Sequence, residues 1–288
     1  MRELSGRTFL VTGASAGIGR ATVFGLAARG ASVVLASRSE AKTRPILEEI
    51  RRQYTDADVE FLPIDLGDLA SVKRAADTFL ASPRPLDVLI NNAGVAGARG
   101  LSRDGFEIAF ATNHLGPFFF TQLLLPKLQA APRARIVNVA SRAHFRTKEV
   151  DWGSISRPVK RIDSFRQYSF TKLLNILHAQ ELAKRLADTR VTTYSLHPGV
   201  VASELWREVP RPIASIMKLF FISNEEGAKT TLYCATAPEL SGTSGRYYDA
   251  CKEARVSRLA RDEALAKELF ERSEEAIRNA LPGYALAS

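Results

Sequence analysis

Thr12-Gly13-Ala14-Ser15-Ala16-Gly17-Ile18-Gly19 decides the fold through what stands on either side of it. An apolar, β-branched stretch, Thr8-Phe9-Leu10-Val11-Thr12, leads in, and a helical pattern over roughly 17–29 leads out. The glycine spacing, G-x-x-x-G-x-G, is not that of the commoner G-x-G-x-x-G fingerprint, but the physics is shared. Gly13 allows the tight turn, Gly17 lets a pyrophosphate approach the backbone, and Gly19 lets helix and strand pack closely. The helix N-terminus adds unpaired N–H groups and the positive end of its dipole. Gly13, Ser15, Ala16, Gly17, Ile18 and Gly19 are therefore expected to cradle the phosphates of a dinucleotide. A mere glycine-rich connector is the duller alternative, and the position directly after the first strand argues against it.

Outward from this loop, short strand-like runs alternate with longer helical ones. Strands are expected at 8–12, 32–36, 59–62, 86–90, 135–139 and 191–196, and helices at 17–29, 40–54, 68–81, 103–130 and 164–187. Apolar strands separated by helices of this length imply βαβ units and a doubly wound parallel sheet of the α/β class, covered on both faces. No repeat or linker interrupts 1–288, which reads as one domain. Residues 203–222 read as one or two helices broken by Pro210 and Pro212. A helix is expected to start at Asn224-Glu225-Glu226 and run to about Ala237, followed by a strand at 245–249. Asp262 is placed to cap a charged amphipathic helix reaching about Ala280, within a C-terminal helical extension at 255–280.

Composition sets the outer bounds. The 288 residues are 45% hydrophobic and 25% charged, which is ordinary for a globular protein. The net charge of +9 invites a nucleic-acid reading, but the 40 basic residues are spread along the chain without a run of five or more. No nucleic-acid partner is expected. Cys234 and Cys251 form no CxxC pair and have no metal-like spacing to histidine, so neither zinc nor a disulfide is expected. The chain enters its first strand too early for a signal peptide, and its longest near-apolar run, 213–222, contains Lys218 and is too short to span a bilayer. A soluble, cytoplasmic protein is the expectation.

Two further stretches carry chemistry. The second strand ends at Ala36-Ser37-Arg38-Ser39, where an acidic residue would accept hydrogen bonds from an adenosine ribose and repel a 2′-phosphate. Ser37 and Arg38 offer a hydroxyl and a guanidinium instead, which suits NADP over NAD, and Lys42 could add charge. Tyr168 and Lys172 stand four apart on a predicted helix and so share a face. A lysine cation near a phenol depresses its pKa, making a proton donor for a carbonyl or a base for an alcohol. Alone, this spacing is common by chance.

With these pieces placed, the sequence resembles the short-chain dehydrogenase/reductase family over nearly its whole length. The resemblance rests on Thr12 to Gly19, Asp65-Leu66, Asn91-Asn92-Ala93-Gly94, Asn113, Ser141, Tyr168-x-x-x-Lys172 and Pro198-Gly199. Thr112 to Pro117, Asn138 to His144, Lys172 to Asn175 and His197 to Val200 look like its retinol-dehydrogenase-like branch. The resemblance implies a single Rossmann-type domain and a cofactor of NADPH or NADP+. By the same resemblance Asp65 and Leu66 would bracket the adenine, and Asn92, Ala93 and Gly94 would line the cofactor ribose. Ser141 would hydrogen-bond the reacting carbonyl oxygen, Tyr168 would protonate it, and Lys172 would hold the nicotinamide ribose while lowering the tyrosine pKa. Asn113 would hold a water linking Lys172 to solvent, and Pro198, Gly199 and Ser203 would wall the nicotinamide. Asn91 is expected to stitch neighbouring strands, and His114, His144, His178 and His197 are given no catalytic role.

The substrate side is read from length and apolar content. Ser141 and Tyr168 stand 27 residues apart, and the intervening segment carries Phe145, Trp152, Ile155, Val159 and Phe165. It is expected to form a flap, and 200–222, with Leu205, Trp206, Phe220 and Phe221, a substrate lid. Two apolar lids favour a hydrophobic aldehyde, ketone or alcohol of retinoid, steroid, fatty or polyketide-like type. Rival readings are a reductase of a conjugated C=C bond or quinone, a non-catalytic NADP(H)-binding protein, and a sugar-nucleotide epimerase. The apolar segments could equally pack a subunit contact, or 205–222 touch a membrane surface; both monomer and homodimer stay open.

Overall fold

The computed structural model describes residues 2–199 and 222–282, which are organised around an eight-stranded sheet. Its strands are β1 (Thr8–Thr12), β2 (Ser32–Ser37), β3 (Val59–Pro63), β4 (Val88–Asn91), β5 (Ala134–Val139), β6 (Val191–His197), β7 (Arg246–Asp249) and β8 (Lys252–Glu253). They lie in the order β3-β2-β1-β4-β5-β6-β7-β8, parallel throughout except that β8 returns antiparallel to β7. Leu10 on β1 faces Val34 on β2 and Leu89 on β4, so the register aligns alternate residues across the sheet.

That alternation makes two cores. Leu10, Val34, Leu89 and Ile136 point to one layer, while Phe9, Val11, Val33 and Leu35 point to the other. The first layer is covered by α3 (Leu69–Ala81), α4 (108–130), α5 (Ser164–Arg185) and α7 (Glu263–Ala280). The second is covered by α1 (Gly17–Ala28), α2 (Glu40–Gln53) and α6 (Asn224–Thr236). Burial on both faces is why β1 is apolar without an alternating polar side: all five of its residues are buried.

Helix starts follow side-chain capping. Ser39 accepts from Lys42 N, Asp68 from Ser71 N, Ser223 from Glu226 N and Asp262 from Leu265 N, each satisfying an otherwise unpaired first-turn donor. The expected Asp262 cap is therefore present. On α1 the N-cap is Ala16, which supplies no side-chain acceptor, and the first turn holds no acidic residue.

Three features depart from the sequence-based expectation. Helix α4 starts at Ile108, not 103, because 101–107 closes a turn in which Gly105 has φ +81 and Ser102 Oγ accepts from Phe106 N. The Glu107 carboxylate then caps α4 through Phe110 N. Within α4, Ala111–Leu115 forms a π turn between α-helical segments Ile108–Phe110 and Gly116–Ala130. Finally, β8 is an additional strand, reached through a two-residue hairpin in which Ala250 and Cys251 both have positive φ (+48 and +59). The expected helices within 203–222, the lid, and Ser203 lie outside the described residues. Among the described residues no helix is long and apolar enough to cross a membrane.

Candidate active site

In the sheet order, β2 and β3 lie on one side of β1, and β4 onward on the other, so the chain reverses its direction of winding between β1 and β4. Ligands of open α/β sheets bind at such a switch point, beyond the carboxyl ends of the strands. The glycine loop leaves β1 at this place, and the 92–94 turn leaves β4 beside it. A Cβ at Gly13, where φ is +68, would lie 2.8 Å from Ala93 Cα, and one at Gly19 would collide with the Gly13 carbonyl. Both glycines are thus fixed by close approach. Gly17 differs: its φ is +55, and the nearest atom to an added Cβ would be Asn224 Oδ1 at 3.8 Å. Its surroundings are open, as a pyrophosphate approaching the backbone requires. Ser15, Gly17 and Ile18 are half-buried along this cradle, and Ala16 is exposed.

Thr12 and Asn92 lock the two turns together. Thr12 Oγ1 accepts from Asn92 N and Ala93 N, both at 3.1 Å, while Asn92 Nδ2 donates to Thr12 O at 2.8 Å. The Asn92 side chain is therefore spent on shaping the loop. Asn91 behaves as anticipated, donating to Thr121 Oγ1 and Asn138 Oδ1 and so joining β4 to α4 and β5.

Of the residues expected at the adenosine, Leu66 is buried and Asp65 Oδ1 accepts from Gly67 N. Ser37 is buried, and its hydroxyl is bound to Thr43 Oγ1 at 2.6 Å. Arg38 and Lys42 are exposed. No acidic side chain stands between β2 and the start of α2, where Glu40 is the first residue of the helix.

At the other end, α4 and α5 bring Asn113 and Lys172 together over Gly94. A Cβ on Gly94 would lie 3.4 Å from both Asn113 Oδ1 and Lys172 Nζ. Asn113 Oδ1 accepts from Val95 N at 2.7 Å, and its Nδ2 donates to Val95 O and Thr171 Oγ1. Lys172 Nζ donates to Val139 O at 2.8 Å, and Asn175 Nδ2 donates to the same carbonyl. Ser141, just beyond β5, has its hydroxyl close enough to the Tyr168 phenol to lower that group's pKa, and its Oγ accepts from Ala143 N. Thr12, Thr171 and Asn175 were not anticipated as site residues. Their signal was adjacency to Gly13, Lys172 and the Tyr-x-x-x-Lys helix, which does not reveal a hydrogen bond.

The titration of the pair is set by burial. Tyr168 is 9% exposed, and burial pushes its phenol up to about 12, opposed by the hydrogen bond from Ser141. Burial brings Lys172 down to about 8. The expectation that Lys172 depresses the tyrosine pKa is therefore corrected: burial outweighs the lysine. Lys172 Nζ lies 5.5 Å from the Tyr168 ring centroid and points at the Val139 carbonyl, so desolvation wins. A protonated phenol suits proton donation.

Four buried imidazoles sit behind this site. His114, on the π turn beside Asn113, meets Ser273 Oγ of α7 at 2.9 Å, and Ser273 in turn donates to Leu269 O. His144 meets the Ser141 carbonyl. His178 is held neutral by burial, down to about 3, and His197 down to about 4.

The segment from 142 to 163, expected to form a flap, contains three 3-10 turns. Trp152 and Ile155 pack against the main core, Trp152 edge-on to Phe170. Phe145, Ile162 and Phe165 stay exposed, and Phe165 lies 5.9 Å from the Tyr168 ring, centroid to centroid. Pro198 and half-buried Gly199, with φ +87, end the described stretch beside Ile222, where it resumes.

A family model described as short chain dehydrogenase matches residues 7–213. Human dehydrogenase/reductase SDR family member 13 is 42% identical over 280 residues, covering 95% of this chain and 74% of its own. Mouse retinol dehydrogenase 12 is 40% identical over 278 residues, covering 96% and 87%. Among solved structures, an uncharacterised protein from Mycobacterium paratuberculosis superposes with a TM-score of 0.76 at 32% identity, covering 95% of this chain and 94% of that one.

Proposed function

The chain belongs to the short-chain dehydrogenase family and is an oxidoreductase; from that premise we propose that it interconverts a hydrophobic aldehyde or ketone and its alcohol with NADP(H). The observation that carries this reading is the convergence of Ser141, Tyr168, Lys172 and Asn113 at the carboxyl edge of the sheet, beside the open glycine cradle.

A bound nicotinamide supplies the hydride in reduction and takes it in oxidation. The protein's own residues do the rest. Ser141 Oγ holds the carbonyl oxygen close to the Tyr168 phenol, which delivers its proton as negative charge develops there. Val139 takes one of the three donors of the Lys172 ammonium, leaving the others for ribose hydroxyls. Asn113 Oδ1 faces the same point over Gly94, where a water would resupply the phenol through Lys172. Gly13, Ser15, Ala16, Gly17, Ile18 and Gly19 would hold the phosphates, Asp65 and Leu66 the adenine, Ala93 and Gly94 the ribose, and Pro198 and Gly199 the nicotinamide.

The NADP preference rests chiefly on Arg38. Ser37 already spends its hydroxyl on Thr43, and no acidic residue repels a 2′-phosphate. The hydrophobic substrate reading rests on exposed Phe165, whose ring lies beside that of Tyr168, and on the retinol dehydrogenase among the relatives.

The test is oxidation of NADPH and NADH against a panel of hydrophobic and small polar carbonyl compounds, with wild type and Arg38→Glu. Wild type should prefer NADPH and apolar carbonyls, and Arg38→Glu should lose NADPH affinity selectively. Preference for small polar carbonyls would overturn the substrate reading, and an unchanged NADPH-to-NADH ratio in the variant would overturn the cofactor reading.

A further inference from the structure

His144 lies three residues beyond Ser141, on the 3-10 turn Arg142–Arg146 that Ser141 caps. Its ring is fully buried, with its centroid 4.1 Å from that of Phe145 and edge-on to Tyr247 of β7. Both ring nitrogens are used. Nδ1 lies 2.6 Å from the Ser141 carbonyl oxygen, and Nε2 lies 3.2 Å from the backbone N of Ser257.

These partners fix the tautomer without ambiguity. A backbone N–H can only donate, so Nε2 accepts; a carbonyl can only accept, so Nδ1 carries the hydrogen and donates. The Ser141 carbonyl also receives the His144 backbone N–H at 3.2 Å. One imidazole therefore ties the backbone of Ser141 to the start of the C-terminal segment, which continues through the turn Leu259–Arg261 into α7. The backbone at Ser141 determines where its Oγ stands, and that hydroxyl lies on the Tyr168 side of the turn, near enough to lower the pKa of the phenol.

We propose that His144 is a positioning residue for the reaction: its Nδ1–H, oriented by Ser257, holds the Ser141 carbonyl so that the Ser141 hydroxyl meets the substrate oxygen. This rests on Ser141 being the carbonyl anchor, as proposed above. His144 acts through Ser141 and touches neither the phenol nor the cofactor cradle, so its loss falls on turnover and leaves NADPH binding intact. A displacement of about 1 Å at a reacting group costs on the order of a hundredfold in rate.

Two substitutions separate the nitrogens. The amide nitrogen of an asparagine falls near the place of Nδ1, so His144→Asn keeps the donor to Ser141. The amide oxygen of a glutamine falls near the place of Nε2, so His144→Gln keeps the acceptor for Ser257 and loses the donor. Both are assayed well below their melting temperatures, with NADPH affinity measured by fluorescence and Ser141→Ala alongside. His144→Asn should hold kcat within about threefold of wild type, and His144→Gln should lose tenfold or more at an unchanged NADPH Kd. Equal kcat in the two His144 variants, with Ser141→Ala inactive, overturns the role of His144 and leaves the Ser141 reading standing. Wild-type kcat in Ser141→Ala overturns both.

Discussion

Lys172 is a cation kept where a cation is costly. A surface lysine keeps its ammonium in water, whereas Lys172 is 3% exposed, and burial brings its amine from 10.5 to about 8. Below pH 8 both folded and unfolded chains hold the proton, and the folded state bears the full desolvation cost. Between about 8 and 10.5 the folded protein gives up its proton first, so this residue's contribution to stability improves as pH rises through that window. Lys172→Met removes the titration. The stability of the variant relative to wild type should be greatest near pH 7 and shrink by about 3 kcal/mol toward pH 10.5, measured by urea unfolding of the cofactor-free proteins. A difference that does not vary with pH would show that Lys172 is not held near 8. The variant should have no turnover, so the cation is retained for function at the expense of stability. At this scale the sequence singled out Tyr168, Lys172, Ser141 and Asn113, which the fold brings to one end of the sheet, because they are chemically distinctive. Which atoms they bind could not be read, since Val139 O and the Ser257 N–H belong to backbone that any residue supplies.

Helix α4 shows what is decided between elements. It carries Asn113 on its π turn, and π turns favour functional sites because they re-aim a side chain within a helix. Directly after the turn, Gly116 lies against the Leu66 carbonyl, so close that an added Cβ would overlap it. Gly116→Ala must therefore push α4 away from the β3 exit. We expect a loss of about 3 kcal/mol in unfolding free energy, with kcat reduced more than NADPH affinity because Asn113 moves with the helix. A variant with wild-type melting temperature and kcat would refute this packing argument. The run Ala111-Thr112-Asn113-His114-Leu115 has no periodicity that distinguishes a π turn from an α turn, which is why only the helix was legible. The true start at Ile108 was hidden for a similar reason: glutamate is an uncommon N-cap, and Glu107 takes that place through a turn closed by Gly105. The hairpin to β8 is a third case, since Ala250 and Cys251 occupy the positive-φ positions where glycine or asparagine would have signalled the turn.

For the whole molecule, the sheet order is the decisive fact. Alternation of apolar strands and helices sufficed for the doubly wound fold, because burial on both faces leaves a simple pattern. The same order opens the cleft between the turns after β1 and β4 and sets the Tyr168 helix over its far end. The C-terminal segment closes the other side: Ser257 reaches the Ser141 turn through His144, and Ser273 reaches the π turn through His114. Those links join residues more than a hundred positions apart, and no local pattern marks them. In the function proposed above, this assembly serves one proton, carried by a phenol that burial keeps protonated to about pH 12. It is tested by Tyr168→Phe, with turnover of a good carbonyl substrate and NADPH affinity measured on the same preparation. Turnover should fall at least about a thousandfold with NADPH affinity within a few-fold of wild type; equal turnover by the two proteins would mean that another group supplies the proton.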